Sequence, residues 1–155
     1  MACKAAETRM LSIKNTDNKI VCGTMNNSIS KAAQRNISKY QRGFVRGRQL
    51  AHNIVDLDFA GRLYAGSPTS HLPSILVLWD FANAFPSVFH SWIFGVFRAW
   101  HFPIGFQNLL FGIFLDLLSY VVVGHDVDVF LWISAGILQG CPLAGFTFAV
   151  ILDPF

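Results

Sequence analysis

Asp80 is the sharpest chemical feature of this sequence. It closes the uninterrupted apolar run Ile75-Leu-Val-Leu-Trp79. A carboxylate in that position is costly unless it is ion-paired, hydrogen-bonded or bound to a metal ion. The ends of buried strands are also where α/β sheets hold their ligands. Elementary physics leaves two roles open: a ligand for a cation or substrate, or a structural cap on the turn that follows. Gln139-Gly140, taken alone, reads as an ordinary turn before a helix. Cys3, Cys22 and Cys141 are far apart and show no Cys-x-x-Cys or Cys/His spacing. They predict neither a disulfide framework nor a zinc site, and the chain reads as intracellular and reduced.

The charges are divided along the chain. Residues 1–62 hold eleven Lys and Arg against four acids, a balance of +7 within a net charge of +3. Residues 63–155 hold one Arg against five Asp, a balance of −4. A basic front half suits a polyanion, nucleic acid first. It also suits nothing more than a solvated surface.

The elements that must position these residues are read from periodicity. Ile29, Ala32, Ala33 and Ile37 predict a short helix within 26–40, and Gly43 and Gly47 mark a loop. Leu50, Ile54, Leu57 and Leu63 place a helix over 50–63, followed by a turn-rich linker at 65–70. The run 75–79 fits a strand buried on both faces. Helices are expected over 87–100 and, after Pro103, over 104–119. Two strands, 120–123 and 127–133, are joined by Gly124-His125-Asp126 as a hairpin. Pro142 opens a last helical segment, 143–152. The fold class expected is α/β (α+β), with helices on one face of a sheet whose central strand ends in Asp80.

Composition sets two limits. The chain has 155 residues, 53% of them hydrophobic and 14% charged, with a mean hydropathy of +0.43. Soluble chains carry about 25% charged residues. Either the chain enters a membrane or it is the interior of something larger. The best membrane candidate, 104–123, contains Gln107, Asn108 and Asp116. Asp116 near the centre of a span would cost roughly 2.5–3.5 kcal/mol. The first twenty residues carry Lys4, Glu7, Arg9, Lys14 and Lys19 and no apolar core, so no signal peptide is expected. A small hydrophobic membrane or interaction protein without enzymatic activity is the alternative kept open.

The wording of five segments carries more information. Trp79-Asp80-Phe81-Ala82-Asn83-Ala84-Phe85 resembles polymerase motif A of the reverse transcriptases of non-LTR retrotransposons, Asp-Phe-x-x-Ala-Phe. Val88-Phe-His-Ser-Trp-Ile-Phe94 looks like the helix after it. Gly136-Ile-Leu-Gln-Gly-Cys-Pro-Leu-Ala-Gly-Phe146 is similar to motif B. Gln41-Arg-Gly-Phe-Val-Arg-Gly-Arg-Gln-Leu50, with Asn53-Ile54, resembles a fingers segment, and Arg9-Met-Leu-Ser-Ile13 an earlier fingers strand. The resemblance runs from about Arg9 to Phe155.

This resemblance implies a partial right-hand polymerase: a fingers-like segment at 1–70 and a partial palm with motifs A and B at 71–155. It implies that Asp80 and the backbone carbonyl of Phe81 contact Mg²⁺. Phe85 would lie under the sugar and exclude a ribose 2′-OH. Gln139 and Gly140 would meet the templating base and incoming nucleotide. Arg9 would contact the triphosphate, and Arg46 and Arg48 the template backbone, as forked donors suited to phosphate. The implied partners are an RNA template, a DNA primer and deoxynucleoside triphosphates, with no stable membrane insertion.

Pro86, Leu138, Ala144 and Met10 depart from residues frequent in that family, and none of them removes a metal ligand. The larger departure is that the sequence contains no Asp-Asp pair, whereas the family's motif C supplies one. Two-metal phosphoryl transfer needs oxygen ligands on two ions about 3.5–4 Å apart, and Mg²⁺ wants six near-ideal oxygens. The polypeptide alone is therefore expected to be inactive, as a fragment or as a decayed reading frame. The apolar surface left open is expected to make it poorly soluble.

Overall fold

The computed structural model describes residues 15–67 and 75–154. The described elements are helices α1 (Thr16–Ala33), α2 (Ala51–Ala65), α3 (His90–Ala99), α4 (Ile104–Phe114) and α5 (Ala144–Leu152), with one hairpin, β1 (Leu118–Val123) and β2 (Asp126–Trp132), between α4 and α5 in the chain. The class is mixed helix and strand. None of these helices is long and apolar enough to cross a membrane.

The core is built helix on helix. Helix α3 turns His90, Ile93, Val96 and Phe97 inward, at helical spacing. Helix α4 answers with Phe106, Leu110, Ile113 and Phe114. Helix α5 is apolar nearly all round and correspondingly buried, from Phe146 through Ile151. Phe97, Phe102, Phe106 and Phe146 interlock with ring centroids 4.7–6.3 Å apart. Phe94 stacks on Phe111 at 4.0 Å. Trp92 Nε1 donates to the Ile151 carbonyl at 3.2 Å, fixing α3 against α5.

Helices α3 and α4 end for a local reason. After α3, His101 takes φ +53°. His101 N–H then donates to the Arg98 carbonyl and Phe102 N–H to the Phe97 carbonyl, a Schellman closure with Phe102 packed on Phe97 as its apolar contact. Helix α4 stops five residues short of the predicted Ser119. Leu115 is extended and Asp116 adopts φ +51°, a conformation that Asp tolerates better than most residues. This turns Leu118 and Ser119 into β1. Helix α1 starts ten residues before the predicted Asn26 and ends at Ala33. Asp17 in its first turn and Lys31 in its last complement the helix dipole.

The hairpin pairs Val123 with Asp126 across Gly124-His125, with Gly124 at φ +64°. Its register slips between Ser119 and Tyr120, where Phe130 is the extra residue. Apart from Leu118 and Ser119 its residues are exposed.

Two expectations fail here. Residues 75–80 form no strand and pair with neither β1 nor β2, and Trp79 is 81% exposed. A strand buried on both faces needs neighbours on both faces, and the described residues supply none. The helices accordingly do not cover a sheet: they pack on one another, and the hairpin stands clear of them. Helix α2, found where predicted, buries none of its residues.

Candidate functional site

The segment after Asp80 is joined to the segment before Gln139 by a short ladder. Ile137 N–H donates to the Phe85 carbonyl at 2.8 Å, Gly136 N–H to Val88 at 2.7 Å, and His90 N–H to Ser134 at 3.0 Å. Phe89 and Ala135 form an antiparallel bridge. The His90 ring, 6% exposed, adds Nε2 against the Gly136 carbonyl at 3.0 Å. A carbonyl only accepts, so that nitrogen carries the proton. Phe114 backs the ring at 4.9 Å.

Gly136 is obligatory in this ladder. Its φ is +108°, and an added Cβ would lie 3.4 Å from the Pro86 carbonyl oxygen. The turn leading into α5 then places Gln139 half-buried and Gly140 exposed, with Gly140 at φ +92°. The two segments, some fifty residues apart in sequence, thus meet through backbone hydrogen bonds.

Asp80 and Phe81 lie exposed, directly after residues 75–79. A tight turn follows, with Asn83 at φ +53°. Ser87 N–H and Ser87 Oγ both donate to the Asn83 carbonyl, at 3.1 and 2.9 Å. The turn delivers Phe85 flat onto Phe148 of α5, centroids 4.3 Å apart and planes at 16°. Behind it lies an apolar cavity of about 260 Å³ lined by Phe81, Ala82, Val88, Trp92 and Phe148 among others.

The basic loop is built differently from what its residue types suggest. Arg46 is exposed, and its carbonyl accepts from Gln34 Nε2 at 2.5 Å. The Arg48 guanidinium, however, is engaged with main chain. One terminal nitrogen donates to the carbonyls of Ser38 and Gln41, the other to those of Gln34 and Ile37 at 3.0 and 3.1 Å. A fork whose two terminal nitrogens hold four carbonyls fastens the 34–41 turn and is not presented to a phosphate. The main-chain engagement of Arg48 differs from the template-phosphate contact that the resemblance implied for it, and Arg46 is the exposed cation of the pair. Arg42 is tied to Asp56 at 2.5 Å. Arg9 lies outside the described residues.

Sequence reasoning passed over Phe44, which reaches this site from the same loop. Its ring meets Phe85 edge-on at 5.7 Å. It also passed over His90 and Gly136 as the joint between the two segments. The signal for both was the four-residue spacing of α3 and a glycine four residues before Gly140.

Among the described residues no three His, Cys, Asp or Glu side chains converge as a metal cluster. Asp80 is the one carboxylate of the segment 79–85, and both it and Phe81 are exposed.

Comparison with known proteins points in one direction. Residues 4–155 match the family model described as reverse transcriptase (RNA-dependent DNA polymerase). The chain is also similar to the transposon TX1 uncharacterized 149 kDa protein of Xenopus laevis, 26% identical over 151 residues. That alignment covers 95% of this chain and 11% of the relative, so the chain spans about a tenth of that protein's length. No solved structure matches.

Proposed function

Because this chain belongs to the reverse transcriptase family, of the non-LTR retrotransposon type, we propose that it supplies the fingers (1–70) and part of the palm (71–155) of an RNA-directed DNA polymerase. Members of the family act on nucleic acid and nucleotides and use divalent metal ions. The observation that carries the proposal is the backbone ladder between 85–90 and 134–137. It brings the proposed sugar-contacting Phe85 and the proposed base-contacting Gln139-Gly140 turn into one structural unit.

In this reading Asp80 and the Phe81 carbonyl contribute oxygens to a Mg²⁺ site whose remaining ligands are not among the described residues. Bound there, the ion would supply charge neutralisation at the triphosphate. The chain's own contribution is positional. Phe85 lies beneath the sugar and disfavours a 2′-OH, Gln139 and Gly140 border the nascent base pair, Arg9 takes the triphosphate, and Arg46 takes template phosphate. The RNA template specifies sequence by pairing, so the protein needs only backbone contacts, and these are salt-sensitive. The domain division and these residue roles are proposals, as are the whole protein's substrates: RNA template, DNA primer and deoxynucleoside triphosphates.

Two measurements test the reading. An RNA–DNA template–primer titrated against the chain should bind with affinity that falls steeply between low and moderate salt, and Arg46→Ala should weaken it. Salt-independent or undetectable binding would remove the nucleic-acid role. Primer extension by the isolated chain with Mg²⁺ or Mn²⁺ should give no product, because one carboxylate cannot organise two ions. Synthesis abolished by Asp80→Asn would overturn that expectation.

A further inference from the structure

We infer that Phe44 is a positioning residue for sugar discrimination: from the 41–48 loop it sets the ring of Phe85 against Phe148 and so fixes how far Phe85 reaches toward a bound sugar. The inference rests on the reading of Phe85 as the sugar-contacting side chain, and it assigns the control of that side chain to a different segment of the fold.

Four observations converge on Phe44. Its backbone takes φ +57°, a conformation in which a bulky residue is a genuine outlier. Such residues persist where the surroundings over-determine them, and they cluster at functional sites. Here the surroundings are explicit. Val45 beside it is buried, the Arg46 carbonyl is held by Gln34, and the Arg48 guanidinium grips four carbonyls of the preceding turn.

Burial does not explain the outlier, because Phe44 is 63% exposed. What the ring does touch is specific. It stands perpendicular to Phe85, at 5.7 Å and 88°, and perpendicular to Phe148, at 6.5 Å and 89°. Those two rings are stacked on each other. Edge-to-face contact with both members of a stacked pair uses the favourable quadrupole orientation twice, and it resists sliding of one ring over the other.

The space for Phe44 is also reserved on the opposite side. Gly145, in the first turn of α5, carries no side chain where the ring lies, and a Cβ there would come within 2.7 Å of Phe44 Cδ1. Helix α5 is further tied to the loop region by Asp153, whose Oδ1 accepts from Ser38 N–H at 2.9 Å. Loop, turn and helix thus converge on the Phe85 ring.

The test uses the full chain with a template–primer, and compares its affinity for a deoxynucleoside triphosphate with that for the matching ribonucleoside triphosphate. A fluorinated phenylalanine at position 85 reports the ring's environment by NMR. The wild type should prefer the deoxynucleotide, and Phe85→Ala should abolish the preference. Phe44→Leu should lower the deoxy/ribo ratio by about two- to tenfold, the worth of one aromatic pair. It should change deoxynucleotide affinity far less and shift the Phe85 fluorine resonance, while Phe44→Tyr should retain the ratio. Gly145→Ala reaches the same ring from α5 without altering the loop, and should reproduce the loss if Phe44→Leu folds poorly.

A lowered melting temperature with an unchanged ratio and an unmoved resonance would reduce Phe44 to a structural residue and overturn the inference. A wild type without sugar preference, or one whose preference survives Phe85→Ala, would overturn the reading of Phe85 instead. In that case the inference about selection falls with it, and the fluorine shift reports only the packing.

Discussion

At the residue scale, identity and role separate most clearly at Arg48. Its type suggested phosphate, but four carbonyls occupy its terminal nitrogens. Hydrogen bonds to a charged group are worth about 1.5–3 kcal/mol each when partly shielded, and they are not additive. Arg48→Ala should destabilise the chain by about 2–3 kcal/mol in urea unfolding. Arg48→Lys should recover little, because an ammonium lacks the fork. Arg46→Ala should leave the unfolding midpoint unchanged, so the two arginines are told apart by stability against binding. Gly136 makes the second residue-scale prediction. Alanine there meets both a positive φ and the Pro86 carbonyl, and should cost about 1–2 kcal/mol or more. Alanine at Gly95 or Gly105, in helices with open space around the Cβ position, should be neutral or stabilising.

At the element scale, the helices stop where single residues turn the chain. His101 closes α3 in a left-handed conformation that favours glycine. His101→Gly should therefore raise stability by about 1 kcal/mol, roughly 2–4 °C in a thermal melt of a chain this size. No change in Tm would mean that the imidazole is making a compensating contact. The same logic explains α4. Periodicity predicted its continuation to Ser119, and Asp116 ends it by turning the chain. The ladder between 85–90 and 134–137 was not visible as a pattern, because each side is only a few residues long and lacks alternation. Its one local sign is Gly136, which the ladder holds at a positive φ.

At the scale of the whole molecule, exposed large apolar residues among the described ones are most numerous in α2, residues 75–81 and the hairpin. Exposed apolar surface of this kind favours association. The purified chain should associate with concentration in light scattering, increasingly at moderate salt as charge repulsion is screened. A monodisperse monomer with a single cooperative melt would contradict this. The high apolar fraction of the sequence signalled that surface, and the structure shows where it lies. The charge is uneven along the chain, +7 over residues 1–62 and −4 over 63–155, so the exposed Arg46 belongs to the basic part of the sequence and Asp80 to the acidic part.

The sequence by itself determined the family, the helices α2, α3 and α5, and the hairpin with its glycine turn. Helices and tight hairpins are made by contacts between residues close along the chain, so their patterns can be read in one dimension. The family shows because its motifs are short, local and ordered. Tertiary structure alone decided that residues 75–79 stand exposed and outside any strand, since a strand exists only through partners distant in sequence. It also decided that Arg48 binds main chain and that Phe44 meets Phe85. A guanidinium takes whichever oxygens the fold brings to it, and an aromatic ring acquires a role only from the rings it touches.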